Sequence, residues 1–467
     1  VLVSTLHELF RGERELFKGL YIEDKWNWDT KHPVIKISFG SGDFSTETGF
    51  SIRFNRILQD NSEEYGIDCS SGSNDAGDRF HYLVTRLYKK YGQKVVILID
   101  EYDKPILDHI TDRELARRNR DKLKSFYSTI KDMDEYIRFV LITGVSKFSR
   151  LDLFSGLNNL NDITIDPAFA TLCGYTHEEV KSAFREHLKG VDLDKLKEWY
   201  NGYNYFGEPV YNPFDILLFL DKGKEYRPYW WSTGNPGFLI DLLKEQPRYL
   251  PDLENCMVDD LVLDAFDVDY IDIAALLWQT GYLTFKEKYQ GIDGIEYRLC
   301  LPNKEIQISL NRLFIQYLTG LKAELRHGKR QVIHALLNAD MDGFHNALRA
   351  LFASIPYRNY ANSIIQHYEG YYASVVYAYL ASLGLKIIPE DVTNKGQVDM
   401  TVFAGDRVYV IEFKVDGPGS ALLQIKGKGY HEKHLASGQI VYLVGIEFSS
   451  EEKNIVNFEW EKAYPKP

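Results

Sequence analysis

Cysteine is scarce in this chain, and its scarcity argues against two structural classes. Cys69, Cys173, Cys256 and Cys300 lie far apart with no CxxC pair, so neither a zinc ribbon nor a disulfide framework is expected. Long apolar runs are missing too: none approaches the roughly 18 residues of a membrane span, and the first apolar stretch is broken by His7, Glu8, Arg11 and Glu13, against a signal peptide. The 12 histidines show no HExxH or His-x-His spacing and no G-x-S-x-G elbow occurs, which leaves zinc hydrolysis and Ser-His-Asp chemistry without local support. Positive charge is also in deficit, with 55 Lys and Arg against 67 Asp and Glu; a net charge of −12 disfavours broad adhesion to nucleic acid or anionic membranes. The expectation is a cytoplasmic protein with reduced thiols and no membrane partner.

What is present begins with length. A chain of 467 residues exceeds one hydrophobic core, and at roughly 150 residues per domain it calls for two or three. Segment 1–170 alternates helical periodicity with short apolar runs, Pro33–Phe39, Val95–Ile99 and Ile137–Ile142, the pattern of a parallel sheet covered on both faces. From 171 to 350 the pattern becomes helices with aromatic-rich connections, including Tyr200–Tyr203, Tyr211–Phe214 and Tyr229–Gly234, which reads as a mostly helical middle domain. Segment 351–467 returns to helix, strand, strand, helix, strand over 368–383, 396–403, 407–415, 419–435 and 439–447. The fold class is therefore α/β at both ends with a helical middle. Leu2, Leu6, Leu9 and Phe10 have helical spacing, so Val1 is read as sitting inside a helix already under way.

Two constellations carry chemistry. In Val95-Val-Ile-Leu-Ile-Asp-Glu101, five apolar residues run directly into two carboxylates. The C-terminal edge of a buried parallel strand is where open α/β sheets place ligands, and an acid there suits Mg²⁺ held beside a nucleotide phosphate, as in a Walker B element. Asp100 as a cap for the next segment is the structural alternative. Ile137–Ile142, expected to be a second buried strand, ends in Thr143-Gly-Val-Ser146, where a γ-phosphate sensor or an ordinary turn would sit. The phosphate loop G-x-x-x-x-G-K-[ST] does not occur in this sequence.

The second constellation lies in Arg407–Val415, which has apolar residues on both parities and hence the signature of a central strand. Glu412 and Lys414 share one of its faces, a placement that costs several kcal/mol unless the charges pair or bind something. In Gln397–Phe403 the alternation puts Val398, Met400 and Val402 on one side and Asp399 on the other, and a hairpin through Gly405 and Asp406 sets Asp399 beside Glu412. Upstream, apolar residues at 372, 375, 376, 379, 380 and 383 predict an amphipathic helix with Glu369 at the edge of its inward face. Three carboxylates and a lysine converging on a covered sheet suit an Mg²⁺ site for phosphodiester hydrolysis. A half-exposed ion pair at Glu412 and Lys414 is the structural alternative. From residue 360 onward, ten Lys and Arg face thirteen Asp and Glu, which does not favour a general DNA-binding surface; Lys322, Arg326, Lys329 and Arg330 are candidates for a basic groove.

Val95–Asp108, Ile142–Asn161 and Tyr229–Ile240 resemble the bacterial AAA-ATPase-like family whose members carry a PD-(D/E)XK nuclease-superfamily domain at the C-terminus, and Asp-x₁₂-Glu-x-Lys followed by a helix bearing Gln is similar to that nuclease core. The resemblance implies a P-loop-type ATPase-like domain whose phosphate loop precedes a helix like Val1–Leu9, a helical middle region and a restriction-endonuclease-like domain. It makes Asp399 and Glu412 metal ligands, Lys414 the catalytic lysine, Glu369 the helix acid, and Gln424 and Tyr430 auxiliary polar residues. On the nucleotide side it points to Asp100, Glu101, Thr143 and Ser146. The implied activity is ATP-regulated, Mg²⁺-dependent hydrolysis of DNA or RNA, with ATP binding dependent on the upstream loop. The alternative is a nucleotide-gated interaction or signalling protein with a nuclease-like scaffold lacking chemistry.

Overall fold

The computed structural model describes the chain except residues 70–74, 147–152, 154–158, 234–238, 241, 244–249, 265–270, 293, 322–324, 357–368, 394, 436–437 and 465–467, and except the side chains of 233, 254, 264, 325–327, 329 and 369. Contacts divide it into two compact units, Val1–Cys173 with Val258–Gly281 and Tyr289–Tyr297, and Gly174–Met257 with Tyr282–Lys288 and Arg298–Pro467.

In the first unit α1 (Leu2–Arg11), β1 (Val34–Ser38), α2 (Glu47–Glu64), α3 (Ala76–Tyr91), β2 (Val95–Asp100), α4 (Arg113–Lys131) and β3 (Ile137–Ile142) alternate along the chain. The three strands form a parallel sheet in the order β1-β2-β3. Asp75 and Asp112 cap α3 and α4 by accepting backbone N–H groups, and Gly92 closes α3 in the left-handed region that glycine enters without strain. Val95–Ile99 is fully buried, as a central parallel strand requires. The expectation of a second buried strand is corrected at β3, where Arg138 and Phe139 are exposed and the other residues half-buried. Among the described residues β3 pairs only with β2, so it is an edge strand; Leu141 still packs against Val3, Phe10, Val34, Val96 and Leu98.

The second unit opens with α5 (His177–Ala183), α6 (Leu193–Tyr200), a short antiparallel pair β4 (Asn201–Tyr203) and β5 (Val210–Tyr211), and α7 (Pro213–Asp221). Asn212 caps α7 by accepting the Phe214 N–H, and Pro213 occupies its first position, where no N–H is needed. Strands β6 (Met257–Asp259), β7 (Thr284–Gln290) and β8 (Ile295–Cys300), parts of which count with the first unit, add β structure to the middle stretch read as mostly helical. Helices α8 (Lys304–Thr319), α9 (Leu325–Asn338), α10 (Met341–Ala353) and α11 (Glu369–Ala381) lead into the C-terminal sheet.

That sheet comprises β9 (Lys386–Thr393), β10 (Gly396–Ala404), β11 (Arg407–Val415), β12 (Ile440–Ser449) and β13 (Asn454–Ala463), in the order β13-β12-β11-β10-β9, with α12 (Ala421–Lys428) and α13 (Glu432–Leu435) between β11 and β12. Only β11 and β12 run parallel. Val408 and Val410 pack with Val441, Leu443, Ile425 of α12 and Tyr430 on one face. On the other, the Tyr409 hydroxyl donates to the Leu336 carbonyl of α9, while Phe448 meets Phe352 of α10 at 4.9 Å and Tyr372 of α11 at 4.5 Å. β11 is thus central and covered on both sides. Each fully buried Val or Ile contributes about 1.5–3 kcal/mol.

Three local expectations change. The helix over 369–381 is not amphipathic: Tyr371 through Ala381 are all buried, because α11 lies between the sheet and α8, where the Tyr371 hydroxyl donates to the Leu318 carbonyl at 3.2 Å. Strands β9 and β13 form the sheet edges outside the ranges expected from sequence, and Pro389 is tolerated in β9 because that strand is an edge. Finally, Val398 packs with Val408 and Val410 rather than following Met400, since the alternation breaks at Asp399, beside Glu390 with its φ of 44°.

Candidate active sites

The break at Asp399 creates the more distinctive site. Paired positions of β10 and β11 run from Ala404 opposite Arg407 to Met400 opposite Ile411. At Asp399 the side chain takes over: its Oδ2 accepts the Phe413 N–H at 2.6 Å, and Glu412 Oε2 accepts the Asp399 N–H at 3.4 Å. The two carboxylates interlock across a fork between strands, each held by the other strand's backbone. Glu412 is 3% exposed, and such burial of a carboxylate is tolerable only with donors aimed at it. One is Gln424 of α12, whose Nε2 donates to Glu412 Oε1. Tyr430 stands nearby; burial, followed by the negative charges of Glu412 and Asp399, pushes its hydroxyl pKa up.

The approach of α12 depends on a glycine. Gly445 of β12 lies opposite Glu412, and a Cβ there would sit 2.4 Å from the Leu422 nitrogen. Two acids that the motif did not include support the helix start: Glu447 accepts the Ala421 N–H at 3.2 Å and Glu459 accepts the Ser420 hydroxyl at 2.7 Å. The only sequence signal for them was an acid in each otherwise β-like run.

Lys414 extends from the same strand, but its Nζ donates to the Pro418 carbonyl at 3.2 Å, in the loop after β11. Asp399, Glu412, Gln424 and Tyr430 are therefore brought together, while the Lys414 ammonium leans away toward that loop. The Glu369 side chain lies outside the described residues, as do residue Lys322 and the side chains of Arg326 and Lys329. Among the described residues no group of three or more His, Cys, Asp and Glu is poised around a metal position. The donor set is nonetheless of the kind a hard divalent cation takes, since Asp399 and Glu412 supply carboxylate oxygens from adjacent strands and Gln424 fixes one of them. Lys426 pairs with Glu461 at 2.6 Å, which makes it a surface ion pair of modest energy.

In the first unit, Asp100 ends β2 beside Ser38, and its Oδ1 accepts the Thr143 hydroxyl at 2.7 Å, uniting the tips of β2 and β3. Glu101 turns the chain with φ 53°, and its carboxylate lies against Gly40, where a Cβ would come within 2.9 Å of Oε2. Ser146 is buried and engaged: its hydroxyl donates to Asp103 Oδ2 at 2.6 Å, and its carbonyl accepts the Tyr102 hydroxyl at 2.8 Å. Asp103, absent from the motif reading, is fully buried and also accepts the Val145 and Ser146 N–H groups. Burial drives its pKa up against those bonds.

Comparison with known proteins agrees with this architecture. A family described as Predicted AAA-ATPase matches residues 1–154, and the PD-(D/E)XK nuclease superfamily matches residues 367–458. A relative described as an uncharacterized protein in the vnfD 5' region of Azotobacter chroococcum mcd 1 is 45% identical over 462 residues, spanning 98% of this chain and 89% of the relative. The chain belongs to the AAA-ATPase-like family with a C-terminal PD-(D/E)XK nuclease-superfamily domain. In this family member the interlocked carboxylates fall within the nuclease-superfamily match, and Asp100, Glu101 and Thr143 within the ATPase-like match. No solved structure matches. Among the described residues no helix is long and apolar enough to cross a membrane.

Proposed function

We propose that the C-terminal domain, residues 351–467, cleaves phosphodiester bonds of DNA or RNA with Mg²⁺, and that the ATPase-like domain, 1–170, regulates it through the middle region, 171–350. The observation that carries this reading is the strand fork, where Asp399 and Glu412 meet beside the buried Val408, Val410 and Leu443. A bound Mg²⁺ would polarise the phosphate and acidify water there. Asp399 and Glu412 would hold the ion, with Glu369 as a further acid. Gln424 fixes the Glu412 carboxylate, Tyr430 supplies a polar wall, and Lys414, on leaving the Pro418 carbonyl, would orient the attacking water and offset negative charge in the transition state.

On the nucleotide side, Asp100 and Glu101 are assigned to ATP and its Mg²⁺, with Thr143 coupling the strand tips. Ser146 is assigned to holding its own loop through Asp103. Cytoplasmic location belongs to the same proposal.

The test is Mg²⁺-dependent nicking by the full chain together with calorimetric titration of Mg²⁺ or Mn²⁺. Lys414→Ala should abolish cleavage and retain cation binding, whereas Asp399→Ala should lose both. Equal cleavage by Lys414→Ala would overturn the assignment. Lys414 leaning toward Pro418 favours the second reading, a nucleotide-gated interaction scaffold without chemistry, for which cation binding should be absent from the wild type as well.

A further inference from the structure

A second pair of acids lies away from both sites, within the second unit. Asp215 of α7 and Glu305 in the first turn of α8 are 0% and 1% exposed, and their carboxyl groups lie within reach of one another. Each spends its other oxygen on the same turn: Asp215 Oδ1 accepts the Trp230 N–H at 2.9 Å and Glu305 Oε1 accepts the Trp231 N–H at 3.0 Å. Among the described residues no donor reaches the remaining oxygens, Asp215 Oδ2 and Glu305 Oε2. The buried Tyr203 hydroxyl lies near both carboxyls and beside Asn303.

Two ionised carboxylates cannot face each other out of water without a compensating charge. Nearby cations are committed elsewhere: Lys304 bonds Glu198 at 2.8 Å, and the Arg227 guanidinium bonds Glu225. The titratable groups facing the pair are Tyr200 of α6, Tyr203 of β4 and Tyr229, all with hydroxyls kept neutral by burial. The immediate shell consists of donors, the Trp230 and Trp231 N–H groups, which suit one negative charge spread over the pair and do not suit a metal ion.

We propose that Asp215 and Glu305 share a single proton and thereby form a pH-sensitive latch joining α7 to α8 through the Trp230–Trp231 turn. Both indoles pack on Tyr282, at 5.4 and 5.3 Å, so release of the turn would disturb an aromatic cluster. Burial first, and then the charge of Asp215, keeps Glu305 protonated far above the ordinary glutamate value of 4.5. A raised folded-state pKa gives stabilisation that is full below the unfolded value and is lost as the pH rises through the folded one. The latch is therefore closed in acid and at neutrality, and opens in base.

The experiment follows tryptophan fluorescence and melting temperature of the full chain from about pH 6 to about pH 10 for wild type, Glu305→Gln and Asp215→Asn. In the wild type both signals should show a basic step, which either substitution removes because an amide donates permanently to the remaining carboxylate. A flat wild-type profile, or the same step in both variants, would overturn the latch. So would a wild-type signal moved by Mg²⁺ or Ca²⁺, since the pair would then hold a cation. Should neither variant fold, infrared spectra of the wild type decide: a protonated-carboxyl band that persists at neutrality and bleaches through the basic step supports the latch, and no bleaching refutes it.

Discussion

Replacing Gly445 with alanine tests the proposed nuclease site without touching a charged group. An added Cβ would stand 2.4 Å from the Leu422 nitrogen and 3.1 Å from Ala421 atoms, and the obstructing nitrogen is backbone that cannot rotate aside. Relief requires the start of α12 to retreat by about 1 Å, or β12 to bend, at the 1–3 kcal/mol typical of overpacking. Gln424 rides on that helix, so the same retreat withdraws its amide from Glu412 and leaves a buried carboxylate short of a donor. Gly427→Ala is the matched control: it lies in the same helix with nothing within 4 Å of its Cβ, and should stabilise by about 0.5–1 kcal/mol through helix propensity. Scanning calorimetry of the full chain should rank Gly427→Ala above wild type and Gly445→Ala below it. Mg²⁺ titration should show weakened binding only in Gly445→Ala. A Gly445→Ala protein that melts with the wild type and binds Mg²⁺ normally would refute the close approach of α12 as the feature that positions Glu412.

Other substitutions probe separate links. Asp103→Ala strips the acceptor from the Val145 and Ser146 N–H groups in a buried loop and should cost about 2–5 kcal/mol, read as a lower melting temperature of the first unit. Tyr409→Phe removes a buried hydroxyl and leaves the Leu336 carbonyl without it, for a loss of about 1 kcal/mol that urea unfolding can measure. Asp391 supplies a pH dependence of opposite sign to the latch. Burial raises its pKa, but bonds from His434, Lys433 and Thr401 outweigh burial and hold it below the ordinary 3.8. Its stabilisation is present above that value and is lost as the pH falls through the folded-state value. Asp391→Asn should flatten acid denaturation below about pH 4, and an unchanged acid limb would contradict this.

Much of the molecule was legible from periodicity and local chemistry. Five apolar residues before Asp100 and Glu101 specify a buried strand ending at a ligand edge, and β2 is buried throughout Val95–Ile99. Apolar residues on both parities of Arg407–Val415 likewise require a strand covered on both faces, and the hairpin through Gly405 places Asp399 by Glu412. These features depend on side-chain spacing along one segment or between two segments joined by a short turn, and spacing is what a sequence records directly.

Long-range packing decided the rest. Helix α11 looked amphipathic because one stripe was clearly apolar, yet tyrosines and alanines on its remaining surface are also buried once α8 covers it. β3 has the composition of a buried strand but lies at a sheet edge, since exposure depends on which partners reach it. The pairing of Asp215 with Glu305 joins residues 90 positions apart in two helices, and the turn of Lys414 toward Pro418 depends on a loop conformation with no periodic signature. Sequence by itself determined which strands carry charge into apolar surroundings, because alternation along a strand is local. Tertiary structure alone decided which of those charges meet, because separation in space between distant segments is set by the packing of the whole unit.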